Sequence, residues 1–454
     1  MSIALPKSHE DSERWDKTRL RRRLLEGCWK MDIVHYMSLH LDRTRQEAWG
    51  EPSQSLNLYK SIVQQLSVIY NETPSIMNPL LDELSEEYLK SMNLFSKAQQ
   101  HSEYVIGLRD SLYRIYWNPR LNKVELRLVT PDYVCVETDP YSPQTPIRIS
   151  EAVEREYQGK EIYTWEVWDI SDELNPSLKI FSEDMKDDLT GYFVGQSPYM
   201  FINPIDKKPF LPYVIYHAQD TGECFDDDSW SELVHGTLEV ALLWSFWIHI
   251  IKDASWAQKY GVDVELQGLS TKPGQERASI STDPASILMF KSKDDKSGNL
   301  NSMTVSVDPK SIADSILQYS SAIMENLGLL GADLQKSQTQ SGISIQIRKD
   351  AIRLWQKRFE PMFKLGDKEM LEKVSLISNL FAPEGYPILP INGYDIKYTA
   401  IEKTQAEIQE LITYNEALLR MGLKSKVDML MELEGISREQ AVIKLEQIKK
   451  DSVY

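Results

Sequence analysis

The sequence predicts an α+β protein in which helix predominates. Three observations carry this. Apolar residues recur at helical spacing through the first hundred residues and again from Ser229 onward, while the stretch between alternates apolar and polar residues as strands do. That middle stretch is also cut by turn signals at Asn118-Pro119, Pro131 and Asp139-Pro140.

From the N-terminus, Trp15 to Leu41 carries Leu20, Leu24, Cys28, Met31, Val34 and Leu41 at roughly the spacing of one helical face, predicting a helix. Tyr59 to Pro74 repeats the pattern with Ile62, Val63, Leu66 and Ile69 before Asn71 and Pro74 break it, and a third helix is expected over Glu83 to Gln99. From about Tyr104 the period changes: "LYRIYWNPRLNKVELRLVTPDYVCVETDP" reads as short antiparallel strands, with further strands at "IYTWEVWDI" and "LPYVIYHA". Helix returns at Ser229 and is expected to run to about Gly261. Val240 to Ile251, VALLWSFWIHII, is apolar almost all round, so this part should be enclosed on most sides. It is shorter than the roughly 20 apolar residues a membrane span needs, which favours a buried core helix.

Val262 to Val307 differs in kind, rich in Ser, Lys, Asp, Gly and Pro, with β-like pieces at "SILMF" and "MTVSV"; it reads as a small module inserted between two helices. The second of these has clear end signals, with Asp308 as cap, Pro309 at the first helical position and Gly328 at the far end, and Ile312, Ile316, Tyr319, Ile323 and Leu327 form one apolar stripe. Gln335 to Ser341 then reads QKSQTQS, a loop without a single apolar residue, followed by a helix from about Ile343 to Leu365 and another to Leu380. Three helices close the chain, opening at Thr404, at Ser425 with Asp428, and at Ser437 with Gln440 in capping-box spacing; Val442, Leu445 and Ile448 share a face of the last.

The 454 residues, 42% hydrophobic and 26% charged, suffice for a sizeable core. A net charge of -17 argues against a protein that coats nucleic acid through a basic surface, although local basic clusters can still meet phosphates. Cys28, Cys135 and Cys224 lie far apart with no CxxC pair, suggesting neither a zinc site nor a disulfide framework and fitting a reducing cytoplasm. The polar start of the chain is not that of a signal peptide. No phosphate-binding G-x-x-x-x-G-K-[ST], no H-E-x-x-H and no G-x-S-x-G occurs, and His35 and His40, five apart, fit a metal pair on one helical face poorly. Neither metal nor cofactor is expected. The best carboxylate cluster, Asp226 to Asp228 in "CFDDDSW", suits either a divalent cation or the cap and dipole of the helix that follows. Arg348, Lys349, Arg353, Lys357 and Arg358, interleaved with Asp350 and Glu360, read on their own as a solvated helix face.

The order of these parts resembles that of portal proteins of tailed double-stranded DNA bacteriophages. The resemblance spans nearly the whole chain, and its local cues are "SIVQQLSVIYNETPSI", "NPIDKKPFLPYVIYHA", "TQSGISIQIRKDAI" and "GLKSKVDMLMELEGISREQAVIKLEQIKKD". None of them is a catalytic motif, and no enzymatic activity is expected. The resemblance implies a wing from residues 1–228 and 343–400, stem helices at 229–261 and 308–328, a clip at 262–307, a tunnel-loop region at 329–342 and a helical crown at 401–454. Gln335, Lys336, Ser337, Gln338, Thr339, Gln340 and Ser341 would form the tunnel loop facing DNA, with Gly331 and Gly342 as hinges. Lys291, Lys293, Asp294, Asp295 and Lys296 would lie where the clip meets its partners, and Ile312, Ile316, Tyr319 and Ile323 would pack the stem. Implied too are a ring of twelve subunits at one capsid vertex of the virion, assembled in the host cytoplasm, and double-stranded DNA passing through without sequence reading. The implied protein partners are the terminase large subunit, a head-tail adaptor, and the major capsid and scaffolding proteins; no membrane is involved. The same features allow a different phage head protein, such as an adaptor or minor head protein.

Overall fold

A computed structural model describes residues 9–41, 51–195, 199–226, 228–255, 258–262, 264–266, 290–292, 299–303, 308–329, 342–399, 401, 405–434 and 438–451. It is a mixed fold with helix predominating. The N-terminal helices are α1 (His9–Glu26), α2 (Lys30–His40), α3 (Leu58–Leu66), α4 (Glu83–Ser91) and α5 (Ala98–Leu108). The expected helix over Trp15 to Leu41 is therefore two, because the chain turns at Gly27 and buries Trp29 in the core. The helix expected to run through Ile69 to the break at Asn71 stops at Leu66; Ser67 bonds back to the Val63 carbonyl (Oγ 2.8 Å), and Ile69 and Tyr70 enter the core from the turn beyond. The helix expected over Glu83 to Gln99 breaks at the left-handed Asn93, so that Leu94 points inward.

Two antiparallel sheets form the middle layer. In one, β2 (Asp110–Asn118) lies between β3 (Lys123–Val129) and β8 (Tyr213–His217). The other has the order β4 (Val134–Asp139), β5 (Ser142–Tyr157), β6 (Lys160–Asp169) and β7 (Ser177–Ser182). Short strands were the expectation, yet β5 and β6 form a long hairpin paired from Arg148↔Asp169 to Tyr157↔Lys160. Pro143 and Pro146 hide the start of β5, which lies next to register shifts in β4. A helical turn, α6 (Thr190–Phe193), precedes β8, and β1 (Ser75–Met77) pairs with β13 (Asp395–Lys397).

Next come the long helix α7 (Ser231–Ser255) and α8 (Pro309–Asn326), with four short strands between them: β9 (Gln258–Val262), β10 (Val264–Leu266), β11 (Phe290–Ser292) and β12 (Asn299–Met303). Then α9 (Gly342–Phe381) lies on β8 and β2, and the chain closes with α10 (Gln405–Arg420), α11 (Lys426–Glu434) and α12 (Arg438–Asp451). The helix expected in two pieces about Leu365 is the single 40-residue α9, which runs through Pro361. Proline removes one intrahelical donor, but Pro361 and Lys357 are both exposed, so water can satisfy the freed Lys357 carbonyl. The reciprocal Ser425–Asp428 cap is in place, with the Ser425 amide at 3.0 Å from Asp428 Oδ2 and the Asp428 amide at 3.2 Å from Ser425 Oγ. On α12, Val442 and Ile448 are exposed.

One core joins α1, α3, α5, β2, β8, α7, α8 and α9. Where α9 crosses β8, Gly366 sits against the Tyr216 ring so closely that a Cβ would lie 2.5 Å from Cδ1 and 2.6 Å from Cε1. Gly366→Ala gains about 1 kcal/mol of helix propensity but drives a methyl into a ring fixed by its own hydroxyl bond, at about 1–3 kcal/mol. The expected result is a net fall in thermal stability. At Gly236 the added methyl would meet only the far end of Ile323 (Cδ1, 2.7 Å), which can swing aside, so Gly236→Ala should stay near neutral in the same melting experiment.

Candidate functional site

The paired helices α7 and α8 are the focus of the candidate site. They run antiparallel: Gly236 faces Ile323, Tyr319 Oη donates to Glu239 Oε2 (2.6 Å), and Trp247 Nε1 donates to the Pro309 carbonyl (2.6 Å). Sequence periodicity does not reveal these cross-helix pairs, although the lone Gly236 in an apolar run is a local sign of close approach. At its N-terminus α8 is capped by Asp308, whose Oδ1 accepts from the Lys310 amide (3.0 Å), with Pro309 at the first position; Gly328 takes the left-handed conformation at the other end (φ 69°).

Along the α8 stripe, Ile316 is 3% exposed, Ile312, Ile323 and Leu327 are half-buried, and Tyr319 is 38% exposed. Tyr319 is thus an edge residue, its hydroxyl pKa held up at about 12 by the bond to the Glu239 carboxylate. The α7 helix is embedded at its start, where Leu233, Val234, Leu238, Val240, Ala241 and Leu242 are buried. Thr237 Oγ1 accepts the Tyr59 amide (3.1 Å), and Ser245 Oγ accepts the Ser53 amide (2.8 Å). The expected enclosure over Val240 to Ile251 fails beyond Leu242. Apart from buried Ser245, residues 243–251 are only half-buried in this chain, including Trp244 and Trp247, whose rings lie 4.3 Å apart. By length and composition the 21 residues Ser231–Ile251 are enough to cross a membrane, a longer apolar stretch than the sequence reading took, though their first half belongs to the protein core.

The expected end of α7 near Gly261 is also corrected. The helix stops at Ser255, and Gln258–Val262 pairs antiparallel with Asn299–Met303, while Val264–Leu266 pairs with Phe290–Ser292. Of the β-like pieces read as SILMF and MTVSV, Phe290 and Met303 fall in described strands; residues 286–289 and 304–307 lie outside the described residues. Lys291 lies on β11 opposite Glu265, whereas Lys293, Asp294, Asp295 and Lys296 lie outside the described residues. Outside them too are Gly331 and the whole of Gln335, Lys336, Ser337, Gln338, Thr339, Gln340 and Ser341, along with Asp227. Gly342 is the first residue of α9.

A polar knot fixes where α7 begins. Asp226 accepts from the Ser229 amide (Oδ1, 3.0 Å) and pairs with Arg109 (3.3 Å), its own amide donates to Asp110 Oδ2 (2.6 Å), and Asp110 Oδ1 meets His217 Nδ1 (2.8 Å). Arg21 donates to the Ser229 carbonyl (2.6 Å), and Asp228 pairs with Lys17 (2.8 Å). The Asp226 side chain is thus occupied by Arg109 and the Ser229 amide, and that of Asp228 by Lys17. Among the described residues no group of three or more His, Cys, Asp or Glu is placed to hold a metal ion. Burial pushes the Cys224 thiol up to about 12, so it stays protonated and is a poor nucleophile near neutral pH.

At the same end, α9 is tied to the hairpin: Trp355 Nε1 donates to the Leu327 carbonyl (2.9 Å) and its ring meets Trp230 edge-on. An open cleft of about 710 Å³ lies there, lined by Asp228, Trp230, Glu232, Tyr319, Ile323 and Leu327. Arg358 stacks on Trp355 (5.0 Å), and Arg353 bonds Asp350 (2.9 Å).

No protein-family model matches the sequence. No curated protein matches it either. Among solved structures, the chain is similar to one in the virion of a native gene transfer agent particle, at 10% identity and a TM-score of 0.41, over 84% of this chain and 89% of that chain. It is similar to the same degree to a chain in the neck of that native particle, computed with C12 symmetry (10% identity, TM-score 0.41, 83% of this chain and 90% of that chain). At this identity and TM-score the likeness transfers no function.

Proposed function

We propose that this chain is the portal protein of a tailed double-stranded DNA bacteriophage, a non-catalytic ring subunit at one capsid vertex. The observation that carries the reading is the α7–α8 hairpin: its first half is rooted in the core, while residues 243–251 of α7 leave a run of tryptophan, phenylalanine and isoleucine only half covered. Apolar surface of that extent on one helix is stabilised by burial against another subunit. A head-to-tail contact repeated around an axis closes into a ring, giving every copy the same cover. In this reading α7 and α8 are the stem, the short strands between them belong to the clip that meets the terminase and later the head-tail adaptor, and the C-terminal helices form the crown. The polar loop Gln335 to Ser341 faces the channel. Its amides and hydroxyls offer hydrogen bonds without sequence reading, and Lys336 adds one phosphate contact per subunit, weak enough to let DNA move.

The experiment is the mass and symmetry of the purified chain by native mass spectrometry and negative-stain class averages. A ring of about a dozen copies with a central hole is the expected outcome. A monomer at every concentration and salt would remove this reading in favour of an adaptor or minor head protein.

A further inference from the structure

Two buried ionisable side chains flank one tyrosine where α9 is seated on the sheet. Asp367 of α9 is 1% exposed and accepts hydrogen bonds from three hydroxyls on three separate segments: Tyr70 after α3 (2.8 Å), Tyr216 on β8 (2.8 Å) and Tyr398 after β13 (2.6 Å). His101 of α5, also 1% exposed, packs edge-on against the same Tyr216 ring (4.4 Å) and at a tilt of 39° against the Tyr113 ring of β2 (3.9 Å). Its Nε2 has no hydrogen-bond partner.

No cation partners either group among the described residues. The groups facing Asp367 are the phenols of Tyr70, Tyr216, Tyr398 and Tyr113, all held protonated above their ordinary range, chiefly by burial. Glu360 on α9 bears on Tyr398, Lys364 pairs with Asp395 (2.6 Å), and Lys373 pairs with Glu369 (2.7 Å). Burial disfavours the charged form of each group, so near pH 5 the folded chain holds a neutral carboxyl and a neutral imidazole.

We propose that Asp367 and His101 are a proton-balanced pair whose opposite proton exchanges on folding cancel across mildly acid pH and keep the seat of α9 firm there. Near pH 5 the unfolded chain carries an imidazolium and a carboxylate; folding releases a proton from the first and adds one to the second, with no net exchange. The acid's O–H is then shared with a phenol oxygen. Burial pushes the Asp367 carboxyl from 3.8 up to about 6, so its contribution to stability is full below 3.8 and lost as pH rises through 6. Burial pushes His101 from 6.5 down to about 3, so its contribution is full above 6.5 and lost as pH falls towards 3. Between about pH 4 and 6 the two slopes oppose each other, each approaching tenfold in the folding constant per pH unit.

Equilibrium urea unfolding of the full chain at fixed protein concentration, from pH 4 to 6, tests this. Relative to wild type, Asp367→Asn should lose folding constant nearly tenfold per pH unit on acidification, and His101→Gln should gain by about as much. The double variant should run parallel to wild type. A single variant whose profile parallels wild type overturns the proposal. If the variants do not refold, ¹³C NMR of histidine-labelled wild type decides. One of the seven imidazoles staying neutral at about pH 4.5 supports the pair, whereas all seven titrating near the ordinary value overturns it.

Discussion

Ile316→Asp is expected to collapse the α7–α8 hairpin and leave the chain aggregated or without its assembled form. Ile316 is 3% exposed, and the antiparallel register set by Gly236–Ile323 and Tyr319–Glu239 places it opposite the buried Val240–Leu242 stretch of α7. A carboxylate there has no partner, so it either neutralises or forces the helices apart, at a cost of several kcal/mol. Against a total stability of about 5–15 kcal/mol for a typical domain, that is decisive for the hairpin. Ile316→Val removes only a methylene and should cost about 0.5–1.5 kcal/mol, which separates a general intolerance of mutation from the specific penalty of charge. Size-exclusion chromatography with light scattering and a thermal melt read both. Unchanged assembly and melting for Ile316→Asp would show that the stripe is not packed as described.

How much of this was legible in the sequence depends on how local the cause is. The cap at Asp308 and Pro309, the stop at Gly328 and the Ser425–Asp428 box were readable because each is decided within four residues. Breaks at Gly27 and Asn93 were missed because the apolar spacing continues across them while the backbone turns. The run Val240 to Ile251 announced burial, but composition does not say by which chain, and beyond Leu242 this chain covers it only in part. The acids Asp226 and Asp228 suited both a cation and a cap, and the sequence carries no sign that Arg109 and Lys17 reach them from far along the chain. The Asp367 cluster left no trace at all, since Tyr70 lies 297 residues away.

The β layer makes the same point with the second large effect, the loss of an ionic clasp between its two sheets. Glu151 and Glu166 stand directly opposite each other on β5 and β6, and Arg114 and Arg127 directly opposite each other on β2 and β3. Like charges so placed repel within each sheet, yet across the layer they match. Arg114 bonds both carboxylates, Arg127 bonds Glu151, Arg155 bonds Glu166, and Tyr213 Oη donates to Glu151 (2.7 Å). Glu151 and Glu166 are buried. Glu166→Leu removes the shared acceptor of Arg114, Arg155 and Trp168 Nε1 and leaves two largely enclosed guanidinium groups short of a counter-charge. Breaking a buried pair from one side costs about 3–5 kcal/mol, more than the pair's own net contribution, because desolvation is then uncompensated. Adding Arg114→Leu should therefore recover part of the loss, while Arg114→Leu alone should be destabilising. Urea midpoints for the four proteins of this cycle, with amide exchange across β2 and β6, measure the coupling. Strictly additive effects would mean that the sheets are held by their apolar contacts and that the clasp contributes nothing of its own.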